Sequence, residues 1–324
     1  MAGADLATLV TKARGGDPRA VARLITLVEN DDARLPELAD LLAPYATDAQ
    51  VIGLTGAPGV GKSTTVSALV RALRAAGRRV GVLAVDPSSP FTGGAILGDR
   101  VRMQEHATDP GVYIRSMSSR GHLGGLAAAT PQAVRVLAAA GCDVVLVETV
   151  GVGQAEVEVA SLADTTVVLL APGMGDAIQA VKAGVLEIGD VFVINKADRD
   201  GADATYHDIQ GMIALAERAP GQWRPKVVRA VAMRGEGIDE IVAAIERHRS
   251  WLRDHDELRR RREQRAVSEV EGLVVAALRA EVAAAGGGSL LPALAGKVAA
   301  GELDPYTAAG EVLAALGHRR GAGG

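Results

Sequence analysis

Cysteine, aromatic rings and lysine are all scarce in this chain of 324 residues. Cys142 is the only cysteine, so no intrachain disulfide can form, and no Cys/His cluster has the spacing of a zinc site. A reducing compartment suits such a chain. Aromatic residues are 2% of the sequence, although 48% of it is hydrophobic, so a sizeable core must be built mainly from Ala, Val, Leu and Ile. No uninterrupted apolar run approaches the roughly eighteen residues of a membrane span, and the N-terminus lacks a basic segment followed by an apolar one. The expectation is a cytoplasmic protein that does not engage membranes. Positive charge is not in excess either: 35 basic residues stand against 39 acidic ones, a formal charge of -4. That argues against a general nucleic-acid-binding surface. Only six of the basic residues are lysine, and two of them, Lys62 and Lys196, fall inside the motifs that follow.

What is present is organised around Gly56-Ala57-Pro58-Gly59-Val60-Gly61-Lys62-Ser63, followed by Thr64. The spacing is G-x-x-x-x-G-K-S/T, with glycines where the backbone turns tightly and lies against a phosphate without a Cβ in the way. A buried-strand run, 51–55, leads in, and an amphipathic helix from Thr64 leads out. In that context backbone N–H groups and the helix N-terminus hold α- and β-phosphates, while Lys62 reaches the β- and γ-phosphates. The Ser63 hydroxyl is placed to coordinate Mg²⁺.

Short Val/Ile/Leu runs alternate with Ala-rich helical stretches from about residue 48. Strands are expected at 51–55, 79–85, 112–116, 144–148, 165–171, 191–195 and 226–230, with crossover helices between most of them. The fold class is therefore α/β: a P-loop NTPase with a largely parallel sheet covered by helices on both faces. N-terminal helices at 6–13, 18–29 (with Asp17 as N-cap) and 35–42 precede it, and a C-terminal helical arm follows. The expected division is 1–45, 46–254 and 255–324. The arginine run 259–262 reads as a solvated helix face, the histidines as surface or loop residues, and Cys142 as a small core residue.

Further motifs fall at strand ends, where ligands of such sheets bind. Asp86 closes the second strand and can hold a magnesium-bound water or orient the attacking water. The run 91–100, with Gly93, Gly94 and Gly98, reads as a mobile loop and supplies Asp99 as a second candidate for the magnesium shell. The segment 116–125 reads as a polar loop. Glu148 closes the fourth strand three residues before Gly151, matching a magnesium carboxylate followed by a γ-phosphate-sensing glycine. Val152 stands where many GTPases carry a water-orienting glutamine, so slow intrinsic hydrolysis is expected. Asn195-Lys196-Ala197-Asp198 matches N-K-x-D: the aspartate accepts from guanine N1–H and the exocyclic amine, and the lysine stem packs on the ring. At about 1.5–3 kcal/mol per charge-assisted bond, two such bonds favour guanine over adenine by on the order of a hundredfold. Val231-Ala232-Met233 sits where a backbone N–H would meet the guanine carbonyl.

Together these stretches resemble the methylmalonyl-CoA mutase-associated GTPases, the MeaB/ArgK/MMAA family. The resemblance runs over nearly the whole chain and includes 84–89, 93–100, 118–121, 148–154 and the helical arm. It implies a P-loop G-protein chaperone that uses GTP, with Mg²⁺, to gate adenosylcobalamin loading and to protect or rescue an acyl-CoA mutase of the methylmalonyl-CoA mutase type. It also implies activation by that mutase and a homodimer formed through the arm. Lys62, Asp86, Asp99, Glu148 and Lys182 are then the catalytic set, and Ser63, Asp86, Asp99 and Glu148 the metal shell. The nucleotide contacts are Gly56, Ala57, Pro58, Gly59, Val60, Gly61, Lys62, Ser63, Thr64, Gly151, Asn195, Lys196, Asp198, Val231, Ala232 and Met233. Lys182, with Gln179 and 172–176, looks like an additional nucleotide- and mutase-responsive switch. Other readings of a GTPase of this kind are nickel or cobalt delivery, which would want a Cys/His site, and a nucleotide-switched scaffold.

Two substitutions test the motif assignments. Lys62→Ala is expected to abolish tight triphosphate binding in calorimetry, and unchanged GTP affinity would remove the P-loop reading. Asp198→Asn is expected to shift preference from guanine towards xanthine nucleotides, because the amide donates where the carboxylate accepted; intact GTP preference would mean that Asp198 does not read the base.

Overall fold

The computed structural model describes residues 5–30, 32–45, 49–87, 103–106, 108–119, 129–149, 155–173, 186–216, 219, 221–283 and 288–321. Among the described residues seven strands form one sheet: β1 (Gln50–Thr55), β2 (Val80–Pro87), β3 (Val112–Ser119), β4 (Val144–Thr149), β5 (Thr165–Leu170), β6 (Val191–Ile194) and β7 (Lys226–Arg229). Their order is β3-β2-β4-β1-β5-β6-β7, and every pairing among them is parallel. β1, β4, β5 and β6 are buried at every position. That is why these segments read as continuous apolar runs rather than alternating ones. All seven sequence-expected strands are present. β3 runs on to Ser119, so Ser116–Ser119 are strand rather than loop.

Alternate side chains of the strands feed two packed layers. On one face Val51, Leu83, Val85, Val145 and Val147 meet the helix Ala129–Ala139 and the three N-terminal helices, Leu6–Arg14, Pro18–Glu29 and Leu35–Leu42. Asp17 caps the second of these by accepting from the N–H groups of Arg19 and Ala20. On the other face Ile52, Leu54, Leu146, Val167 and Val193 pack on the helices Lys62–Ala75 and Ile238–Asp254. Cys142 is buried in the first layer, and burial pushes its thiol pKa up to about 12. The chain divides into two compact units, Met1–Arg262 and Glu263–Gly324. The second unit is helical: the remainder of Glu257–Val282, then Gly288–Ala299 and Pro305–Gly321.

The N-terminal edge of the sheet holds an arrangement that the sequence did not reveal. Asp164 accepts from the Val51 N–H at 3.0 Å and Asp190 from the Thr166 N–H at 2.8 Å, so two buried carboxylates tie β1 to β5 and β5 to β6. Arg261 meets both oxygens of Asp190, at 2.9 and 3.0 Å, and Arg262 meets Asp164 at 3.0 Å. The expectation of a solvated arginine face thus fails for these two residues. It fails because their partners lie 71 and 98 positions away in the chain, beyond the reach of any local pattern. Arg259 and Arg260 do remain exposed, on local partners Asp256 and Glu257.

His248 also corrects the expectation of surface histidines: it is fully buried, with Nδ1 2.9 Å from the Thr165 hydroxyl and Nε2 3.3 Å from Asp190. His106 is buried as well. Both tryptophans lie beside His248. Trp223 donates to the Asp190 carbonyl at 2.9 Å, its ring 4.8 Å from the imidazole, and Trp251 stacks on His248 at 6.1 Å while its ring also meets Trp223 at 5.8 Å.

Desolvation lowers the His248 pKa from 6.5 to about 4, against the smaller raising influence of Asp190. Below pH 6.5 the unfolded chain therefore binds a proton that the folded chain refuses. The stabilisation is complete above that pH and is lost as pH falls towards 4. On the order of 2 kcal/mol of unfolding free energy should disappear between about pH 6.5 and 5. Urea midpoints of wild type and His248→Gln over that range check this: the variant is expected to start lower and decline less steeply, and parallel declines would refute the assignment.

Candidate nucleotide site

β1, in the middle of the sheet, delivers the chain to Gly56 at its C-terminal end. Gly56 has φ +143°, and a Cβ there would stand 2.3 Å from the Leu169 carbonyl oxygen. Gly61 has φ +95°, with the Asn195 amide nitrogen 2.4 Å from its own would-be Cβ. Neither position admits a side chain, so the two glycines fix how closely the loop lies against β5 and β6. Val60, fully buried, pins the loop from beneath. The helix that begins at Lys62 directs the amide end of its first turn at the space above the loop, a ready anion site. The Lys62 ammonium folds over the loop, donating to the Gly56 and Ala57 carbonyls at 2.7 and 3.1 Å.

Ser63 and Glu148 come together although 85 positions separate them: the Ser63 hydroxyl donates to Glu148 Oε1 at 2.7 Å. Parallel register places Glu148 beside Leu54 of β1 and Ala84 of β2, which brings a carboxylate to the phosphate loop. Glu148 is 5% exposed. A hydroxyl and a carboxylate oxygen at this spacing are hard donors of the kind magnesium takes, so the residues present fit that ion. Asp86 continues β2 to the same edge, its backbone opposite Ser118. The Asp86 side chain, Asp99, Gly151, Gln179 and Lys182 lie outside the described residues, as do 88–102 and 120–128.

The base-side motif is built onto the phosphate loop. The Asn195 amide donates to the Val60 carbonyl at 2.8 Å and accepts from the Ala232 N–H at 3.1 Å. Lys196, held at φ +57°, donates to the Gly59 carbonyl at 2.6 Å. Val231 and Ala232 are buried, whereas Met233 is 87% exposed. The Asp198 carboxylate is open to solvent and meets Arg234 Nη2 at 3.5 Å. Arg234 in turn meets Glu236 at 2.9 Å. The structure therefore brings the described phosphate, hydroxyl–carboxylate and base motifs to one edge.

Sequence reasoning missed Arg234, although Arg234-Gly235-Glu236, directly after the base loop, was a visible charge pair around a turn glycine. It also missed Ser67, whose hydroxyl lies 2.8 Å from His106 Nε2 and is hydrogen-bonded to Glu105. The Ser67 contact, with help from Arg71 and His106, keeps the Glu105 carboxyl below its usual range. With Met103 buried against the same helix, these contacts fasten the chain returning after residue 102 to the helix that carries the phosphate loop.

The chain is similar to known proteins over most of its length. A Pyrococcus abyssi protein named as a GTPase is 47% identical over 308 residues, 94% of this chain and 95% of that one. GTPase ArgK of Escherichia coli K12 is 39% identical over 271 residues, 82% of each chain. A crystal structure described as a LAO/AO transport system kinase superposes with a TM-score of 0.73 at 29% identity, over 95% of this chain and 96% of the other. The family model described as methylmalonyl Co-A mutase-associated GTPase MeaB matches residues 21–287. A phosphate loop stitched through Asn195 to a guanine-type motif, on a chain of this sequence, belongs to the MeaB family of GTPases.

Proposed function

We propose that the chain is a magnesium-dependent GTPase that serves as a G-protein chaperone for an adenosylcobalamin-dependent mutase of the methylmalonyl-CoA mutase type, gating cofactor loading and protecting or rescuing the enzyme. The observation that carries the GTPase part is the convergence of Lys62, Ser63–Glu148 and Asn195–Asp198 on one sheet edge. The family's description, which names the mutase, supports the partner.

In this reading the N–H groups of the loop from Gly56 to Thr64, other than at Pro58, cradle the phosphates. The Lys62 ammonium exchanges its two loop carbonyls for β- and γ-phosphate oxygens, which strengthens its contacts because the acceptors become charged. Ser63 and Glu148, with Asp86 and Asp99, hold the metal. Magnesium held there would neutralise negative charge on the triphosphate. Gly151 senses the γ-phosphate, Asp198 reads guanine, the Lys196 stem covers the ring and the Ala232 N–H lies near the guanine carbonyl. Lys182 acts from a further switch that answers to nucleotide and mutase. Turnover is slow until the mutase completes the site, because Val152 replaces a water-orienting glutamine. Residues 255–324 form the homodimerisation arm, which shows solvent Val267, Val270, Leu273, Val274 and Leu278. The protein works in the cytoplasm, off the membrane. Among the described residues no helix is long and apolar enough to cross one.

Phosphate release from GTP and from ATP, with and without a purified adenosylcobalamin-dependent acyl-CoA mutase of the same cell, tests the reading. GTP-selective turnover accelerated by the mutase is the expected result. Turnover indifferent to every such mutase would leave a GTPase and remove the chaperone role.

A further inference from the structure

We propose that Arg234 is a positioning residue of the base site, holding the Asp198 carboxylate in the orientation that receives the guanine edge; this rests on the reading of Asp198 as the base acceptor. The loop carrying Arg234 is closed on itself. The Val231 N–H donates to the Glu236 carbonyl at 3.0 Å and the Arg234 N–H to the Val231 carbonyl at 2.9 Å. Gly237, at φ +78°, lies so close to the Arg229 carbonyl that a Cβ would stand 2.2 Å from it. The turn is therefore held at its base, and the Arg234 side chain leaves it in a defined direction.

Its guanidinium is spanned between two carboxylates. Nε meets Glu236 Oε1 at 2.9 Å, which orients the planar group, and Nη2 reaches Asp198 Oδ2 at 3.5 Å. An aspartate carboxylate turns freely about its last torsion, yet recognising N1–H and the exocyclic amine together requires both oxygens in one plane facing the base. Contact with Oδ2 limits that rotation while the remaining lone pairs of the carboxylate are left for guanine. Arg234 and Asp198 are 54% and 40% exposed, so water screens their attraction. What the pair supplies is orientation, and the expected effect is small and specific to guanine.

The test is a double-mutant cycle on the full chain, with affinities for GDP and ADP measured by titration calorimetry. Arg234→Gln is expected to weaken GDP binding by about two- to fivefold, to leave ADP binding unchanged, and to have no further effect in an Asp198→Ala background. Arg234→Lys is expected to recover part of the loss. Equal GDP losses in both backgrounds, or GDP binding that is unchanged or tighter in Arg234→Gln, would overturn the proposal. If Asp198→Ala alone keeps the wild-type GDP-to-ADP ratio, the base-reading role falls and this proposal with it. If Asp198→Ala lowers that ratio while Arg234→Gln leaves it untouched, only the Arg234 role falls.

Discussion

A single side-chain amide holds the candidate site together. Asn195 is 3% exposed and uses both ends of its amide, one on the Val60 carbonyl and the other on the Ala232 N–H. The phosphate loop after β1, the turn after β6 and the base loop after β7 thereby become one piece. Gly61 has to lack a side chain for the amide to come so close, and the Lys196 contact with Gly59 repeats the link on the outer side. An aspartate in place of Asn195 would offer no donor to Val60 and would bury a charge, which costs more than the lost bond. Loops joined this way keep a fixed separation, so in the proposed reading little ordering of these loops remains to oppose nucleotide binding.

The two edges of the sheet use charge differently. At the C-terminal edge Lys62 donates to two loop carbonyls and Asp198 meets an exposed arginine. At the N-terminal edge Asp164 and Asp190 are buried and matched by Arg262 and Arg261 in addition to backbone N–H groups. Removing one arginine there would leave a buried carboxylate with its backbone N–H partner but without its countercharge, a destabilising change. The same neighbourhood keeps His248 neutral, so chemistry and structural charge occupy opposite ends of the same strands.

The sequence made the strands and the phosphate loop legible for physical reasons. β1, β4, β5 and β6 are covered on both faces, and continuous apolar runs are what such strands need. The loop and the base motif are short, and close backbone approach to a phosphate constrains them residue by residue. Contacts that depend on register stayed hidden. Glu148 was visible as a strand-end carboxylate, but its hydrogen bond to Ser63 follows from β4 lying beside β1. Asp164 and Asp190 gave no signal as strand-bridging acceptors, which turned two arginines of an ordinary charged run into buried partners. His248 sits on an amphipathic helix, where only the identity of the neighbouring strand ends decides whether its face is wet.

The aromatic poverty of the chain has a practical optical consequence. With only two tryptophans in the sequence, both against His248 at the N-terminal edge, native tryptophan emission originates at the end of the sheet remote from the phosphate loop. That emission is a gauge of whether the Asp190 neighbourhood is intact. Nucleotide occupancy, which changes the opposite edge, is better followed through a fluorophore carried by the nucleotide itself.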